Sequence, residues 1–229
     1  MSLLIYAPAF WVIAIVSTIL QDRSAEGEKK LASLTTLIKF APALMSVVYV
    51  LLTPASLTLF YLLLAAALVF CMLGDVAMEV GLVPGIGMFL IAHLLYSANF
   101  LGHAIVVGPT TLPNAVSLAC FAVMVVYVTL FVRWLQAAGP EAPPLILRAG
   151  TFYFYLISAT LSTSILLWLT TNNPLGFIPV IGAAFFIMSD SLIAINAFRQ
   201  KITHHELYIM PTYYLAIFLL ALNAYVYVL

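Results

Sequence analysis

Two aspartates stand out first, because each sits in a run of residues that would otherwise dissolve in hydrocarbon. Asp75 closes Phe70-Cys-Met-Leu-Gly-Asp75, and Asp190 closes Phe185-Phe-Ile-Met-Ser-Asp190. An ionised Asp in mid-membrane costs roughly 2.5–3.5 kcal/mol on insertion scales, so such residues usually face a bundle interior and mark function. Two carboxyl groups facing one cavity are the parts of general acid/base chemistry, one giving a proton and one taking it. Gly74 and Ser189, each just before its Asp, are small enough for close helix approach. The alternative for the pair is a structural polar cluster satisfied by Lys39 or by hydroxyls.

Other groups share the setting. His93, Tyr96, Phe100 and His103 fall at i, i+3, i+7 and i+10, which is one helix face. His93 could relay a proton, orient a carboxylate or bind a metal, or simply pack with a hydrogen bond. Asn99 points to a neighbouring face and suits a bond across helices. Lys39 is read as the partner of an Asp, as an anchor for lipid phosphate, or as a side chain snorkelling to the surface. Glu79 is expected in solvent near the interface. Tyr155, Tyr213 and Tyr214 lie deeper than belt tyrosines do, so their hydroxyls could reach a cavity, whereas His103 suits the far interface. His204 and His205 read as exposed loop residues.

The elements that position these groups follow from composition. The 229-residue chain is 65% hydrophobic and 7% charged, far below the ~25% charge of a soluble domain, so its solvent is lipid. Zero net charge without a basic tail argues against a nucleic-acid partner. Cys71 and Cys120 both lie in apolar runs and read as small buried hydrophobes. At about 20 apolar residues per span, eight spans are predicted, at 3–20, 34–52, 57–79, 85–107, 114–136, 146–170, 175–198 and 207–228. Backbone groups in lipid must be satisfied internally, so each is a helix. The expected fold is a single all-α domain over residues 1–229, a polytopic bundle of eight transmembrane helices. The first span reads as a retained helix rather than a cleaved leader. The matching hexamers at Asp75 and Asp190 fall on the third and seventh spans, which run the same way, as in two parallel four-helix halves.

Arg23, Lys29, Lys30, Arg133, Arg148, Arg199 and Lys201 all flank the connections after spans 1, 5 and 7, and the opposite loops carry no Lys or Arg. The positive-inside rule then puts those connections in the cytoplasm. At 1.5 Å per residue, Asp75 lies roughly 6 Å, Lys39 roughly 8 Å, and His93 and Asp190 roughly 12 Å inside the cytoplasmic boundary. Four ionisable groups from four helices thus occupy one layer. Among nucleophile, P-loop and zincin signatures none is present. Asp75, His93 and Asp190 could together hold zinc, which keeps a metal-dependent hydrolase open beside a proton-coupled lipid or small-molecule transporter.

At these motifs the chain resembles a family. Gly74-Asp75, then Phe89-x-x-x-His93-x-x-Tyr96-x-x-x-Phe100, then Gly182-Ala183-x-x-Phe186-x-x-Ser189-Asp190-x-x-Ile193-Ala194 are similar in order and spacing to the YhhN-type lysoplasmalogenases, eight-helix membrane hydrolases. Two departures stand. The family's Lys-Pro pair is spread here to Lys39 and Pro42, and Tyr213-Tyr214-Leu215-Ala216 is followed by Ile217 where a Gln is common. The resemblance implies cleavage of the vinyl ether bond of lysoplasmenyl ethanolamine or choline lipids to a fatty aldehyde and a glycerophospho-head group, without metal or organic cofactor. It implies a multi-pass protein of the cell membrane, or of the endoplasmic reticulum in a eukaryote. On that chemistry Asp190 is expected as acid and Asp75 as its ionised partner, with the reverse assignment open. Lys39, His93, Tyr96, Asn99, Tyr155, Ser189, Tyr213 and Tyr214 are the expected substrate-side groups.

Overall fold

A computed structural model describes residues 1–25, 32–53, 57–137 and 144–227. Lys29 and Lys30 and most of the two longer connections lie outside the described residues. The helices are α1 Leu3–Ala25, α2 Ala32–Lys39, α3 Ala41–Leu52, α4 Leu59–Val80, α5 Leu82–Val107, α6 Thr111–Gln136, α7 Pro144–Thr171, α8 Phe177–Phe198, α9 Glu206–Ala221 and α10 Asn223–Val226. With α2 and α3 taken as one path, and α9 and α10 as another, eight paths are long and apolar enough to cross a membrane. The protein is an all-α, multi-pass membrane bundle.

Boundaries move where proline or charge is involved. Pro84 and Pro113 sit in the first turns of α5 and α6, so these helices begin at Leu82 and Thr111, three residues before the apolar runs predicted from 85 and 114. A proline there removes no intrahelical bond. Pro42 acts differently. It lies at the start of α3, and the second span breaks at Phe40, because an interior proline removes a bond and clashes with the preceding turn. The break leaves the Lys39 carbonyl to accept from the Tyr214 hydroxyl at 3.1 Å. α1 continues one turn past its apolar run, and Gln21 there donates to the Thr35 carbonyl at 2.9 Å.

Only Gly81 separates α4 from α5, and these two helices form the tightest pair in the bundle. α5 also packs on α7, α8 on α9, and α9 on α1 and α3, so the final path closes against the first half of the chain. One main core includes Tyr6, Tyr49, Tyr61, Phe100, Leu64, Leu68 and Tyr214. Side chains from different parts of the chain tie one end of the bundle together. Lys39 pairs with Glu79 at 2.7 Å, and His204 meets Asp22 at 2.9 Å. Arg199 donates to the Trp134 carbonyl at 2.6 Å and covers that ring at 4.1 Å. This end also carries Arg23, Arg133 and Arg148.

Candidate functional site

Five helices converge just inside that end. α4 brings Asp75, α8 brings Ser189 and Asp190, α9 brings Tyr213, α2 brings Lys39, and α5 brings Phe89. Asp75 and Asp190 are 3% and 8% exposed. Each accepts one hydrogen bond from a buried tyrosine: Tyr213 donates to Asp75 Oδ2 at 2.9 Å, and Tyr153 donates to Asp190 Oδ2 at 2.6 Å. A buried carboxyl group requires such partners, since a lost polar contact leaves the full desolvation penalty.

Both carboxyl groups line one polar cavity of about 220 Å³, together with Lys39, Ser189 and Tyr213. Asn196, Lys201, His205 and Glu206 line its outer part. A second, apolar cavity of about 50 Å³ lies between the start of α5, the start of α7 and the end of α8, lined by Leu82, Ile86, Ile146, Gly150, Tyr153 and Phe198 among others. Asp190, Met78, Phe89 and Ile193 line both. Asp190 therefore stands at the junction of a polar and an apolar space, while Asp75 belongs to the polar one alone.

The shared wall depends on small residues. A Cβ on Gly74 would lie 2.8 Å from the Phe89 ring, so the glycine before Asp75 lets that ring approach. Phe89 packs edge-on against Phe186 and Tyr213 at 5.9 and 5.8 Å, and Phe186 and Tyr213 meet at 5.5 Å. Ser189 spends its hydroxyl on the Ile209 carbonyl at 3.2 Å, joining α8 to α9 beside the cavity.

Lys39 bonds Glu79 rather than a carboxyl of the aspartate pair. Glu79, expected in solvent, thereby holds the ammonium in place, near enough to Asp75 to act on it electrostatically. For Asp190 the Tyr153 hydroxyl is the polar side-chain partner.

The remaining predicted residues lie elsewhere. His93 is wholly buried behind Phe186, with ring centroids 4.4 Å apart, and lines neither cavity. Its Nδ1 meets Thr160 Oγ1 at 3.1 Å, and its Nε2 has no hydrogen-bond partner among the described residues. Tyr96 packs one turn along α5, its hydroxyl 3.9 Å from Cys71 Sγ. Asn99 donates to the Phe60 carbonyl at 3.0 Å and joins His103 in a separate cavity at the opposite end of α4 and α5. Tyr214 accepts from Ser17 at 2.7 Å and donates to Lys39. Tyr155 packs in a satellite cluster with Val128, Leu135, Phe154 and Ala194.

Tyr153 takes the place expected for Tyr155. Tyr153, Ile157, Thr160 and Ser164 form an i, i+4, i+7, i+11 stripe of buried residues on α7. Two residues correspond to a 200° rotation about a helix, so Tyr155 faces away. Among the described residues no group of three His, Cys, Asp or Glu side chains is placed to hold a metal ion, including Asp75, His93 and Asp190.

The fold and site define a class, a multi-pass membrane protein with a carboxylate pair buried below one end of the bundle. The chain belongs to the YhhN family, whose profile matches residues 34–224. It is similar to lysoplasmalogenase TMEM86B of Homo sapiens, at 30% identity over 166 residues, covering 71% of this chain and 63% of that protein. With the Sus scrofa protein of the same name the identity is 33% over 140 residues, covering 61% of this chain and 52% of the relative. The match thus spans less than two thirds of either relative. No solved structure matches the chain.

Proposed function

We propose that the protein is a lysoplasmalogenase-type hydrolase that cleaves the vinyl ether of a lysophospholipid at Asp190. The observation that carries this reading is the meeting of two unlike spaces at that residue. The bond to be broken lies where an apolar alkenyl chain joins a polar glycerophospho group. A site for it needs an apolar space and a polar space with the proton donor between them, and the TMEM86B relatives carry the name of this activity.

The chemistry assigns a role to each group. The Asp190 carboxyl gives its proton to the alkene carbon remote from oxygen, leaving an oxocarbenium ion. Water adds to the carbon bearing oxygen as the Asp75 carboxylate takes its proton. The hemiacetal then collapses: its hydroxyl returns a proton to Asp190, the carbon–oxygen bond to glycerol breaks, and Asp75 protonates the departing oxygen. One water is consumed and both carboxyl groups are restored, in parallel with two-carboxylate glycoside hydrolysis. Lys39, held by Glu79, lies on the Asp75 side of the cavity, and this placement supports taking Asp75 as the ionised partner. The 2.6 Å Tyr153–Asp190 bond is of a length common for ionised acceptors. The lysine carries more weight, since a hydroxyl bond adjusts by a few tenths of an ångström while a neighbouring fixed cation acts at longer range.

The polar cavity lies at the positively flanked end, which under the positive-inside rule supports a site in the cytoplasmic half of the membrane. The transport alternative needs a path to both faces. Between the polar cavity and the one at Asn99 lie the fully buried side chains of Cys71, Leu68, Tyr96 and Phe100, which favours a one-sided site. The test is release of fatty aldehyde by purified protein from a lysoplasmenyl lipid, with none from its saturated 1-O-alkyl analogue. In D₂O the aldehyde should carry one deuterium beside its carbonyl. Aldehyde release from neither lipid, or aldehyde without that deuterium, contradicts the mechanism.

A further inference from the structure

We infer that Gly150 holds open the apolar space through which the substrate's hydrocarbon chain leaves the site, which makes it a specificity-determining residue. The inference rests on the hydrolase reading above for the nature of the chain, and on two observations of its own.

First, Gly150 lines the apolar cavity on the α7 wall, one turn from Tyr153 and its bond to Asp190. From Asp190 this cavity runs past Phe154 and Ile193 to Leu82, Ile86, Ile146 and Phe198, which are half-buried where α5 and α7 begin and α8 ends. It therefore joins the junction residue to the apolar flank of the bundle.

Second, packing does not require this glycine. A Cβ at Gly74 or Gly182 would press on Phe89 or Leu219 at 2.8 or 3.0 Å, yet at Gly150 nothing lies within 4 Å. Glycine inside a helix is also less favourable than alanine. Neither backbone approach nor helix stability accounts for it, and the space in front of it does. A Cβ there meets no neighbour, and a larger side chain built on it would enter that space. It would displace the first chain carbons and push the vinyl ether off Asp190.

The test compares the wild type with Gly150→Ala, Gly150→Leu and Gly87→Leu in two substrates. Gly87 has equally open surroundings but is exposed and lines neither cavity. One substrate is a lysoplasmenyl ethanolamine with an eighteen-carbon chain. The other is its 1-propenyl analogue, which ends one carbon beyond the double bond. Gly150→Leu should lower turnover of the long substrate by roughly tenfold to a hundredfold, as expected for ångström-scale misplacement, and leave the propenyl substrate within about threefold of wild type. Gly87→Leu should leave both unchanged, and Gly150→Ala should fall between wild type and Gly150→Leu on the long substrate. Wild-type rates on both substrates for Gly150→Leu, or equal losses on both in folded protein, overturn the inference while the hydrolase reading stands. If Gly150→Leu does not fold, Ile146→Trp narrows the same space from its outer end and must show the same selectivity. If the wild type cleaves neither substrate, the hydrolase reading falls. Binding of a radiolabelled saturated 1-O-octadecyl lysophospholipid then decides, because weaker retention by Gly150→Leu than by Gly87→Leu supports the inference and equal retention overturns it.

Discussion

The division of charge between Asp75 and Asp190 can be read from two double-mutant cycles, one per tyrosine–aspartate pair. Tyr213→Phe removes the hydroxyl that donates to Asp75 at 2.9 Å and keeps the ring against Phe89 and Phe186. Asp75→Asn keeps an oxygen acceptor and removes only the capacity for charge. A hydrogen bond to an ionised group contributes about 1.5–3 kcal/mol and one between neutral groups about 0.5–1.5. The cycle therefore reports the difference, about 1 kcal/mol or more if Asp75 is ionised. The parallel cycle of Tyr153→Phe with Asp190→Asn compares a protonated carboxyl with an amide, both neutral acceptors, and should give a coupling within about 0.5 kcal/mol of zero. Reversible unfolding in mixed detergent–lipid micelles at neutral pH measures the wild type and the six variants. A larger coupling at Tyr153–Asp190 than at Tyr213–Asp75 refutes the assignment of acid and base, and couplings near zero in both refute the idea that Lys39 selects one carboxylate.

Further perturbations address the surroundings of the pair. Lys39→Met leaves Glu79 unpaired and Asp75 without its neighbouring cation; turnover should fall by roughly tenfold or more, the scale of a charge contribution to a positioned acid or base, and Lys39→Arg should recover part of it in the same aldehyde assay. Lys201 lines the outer cavity, is exposed and has no ion-pair partner among the described residues. Lys201→Met should raise KM for a phosphodiester-bearing substrate by roughly fivefold with kcat near wild type, as for an exposed charge pair worth up to about 1 kcal/mol. Gly74→Ala puts a Cβ 2.8 Å from the Phe89 ring. Overpacking of this kind costs about 1–3 kcal/mol, so the unfolding midpoint should drop, whereas Gly102→Ala, with open surroundings, should hold or slightly raise it, alanine being the better helix former.

Much of the fold was legible because a membrane span is written in the chain as a long apolar run. The eight paths, the connections and the two aspartates on same-direction spans can be read without coordinates. What was not legible is instructive. The helix starts at Leu82 and Thr111 lie before Pro84 and Pro113, and the same residue type breaks the second span at Pro42. Position within the helix decides between these outcomes, and hydropathy does not report it. Tyr153 and Tyr155 have the same composition and depth. Only the helical phase shared with Ile157, Thr160 and Ser164 selects Tyr153, and that stripe was there to be followed. Glu79 and Lys39 are 40 residues apart, and no local pattern announces their pairing. His93 shares a face with Tyr96 and Phe100, as its spacing predicts, but a face can point to the core behind the cavity wall as well as to the cavity, and Phe186 stands between. Depth along the membrane normal is legible in one dimension; rotation about each helix, and which neighbour it meets, are products of packing.

The central claim is that two buried carboxyl groups cleave a vinyl ether by exchanging protons with carbon, water and glycerol oxygen. Aldehyde release from lysoplasmenyl ethanolamine by Asp75→Asn and Asp190→Asn, each purified and matched to wild type in folded fraction, tests it most directly. Each variant should lose roughly 10²–10⁴-fold in kcat, the usual scale for removal of a general acid or base. Turnover by both variants at the wild-type rate would contradict it.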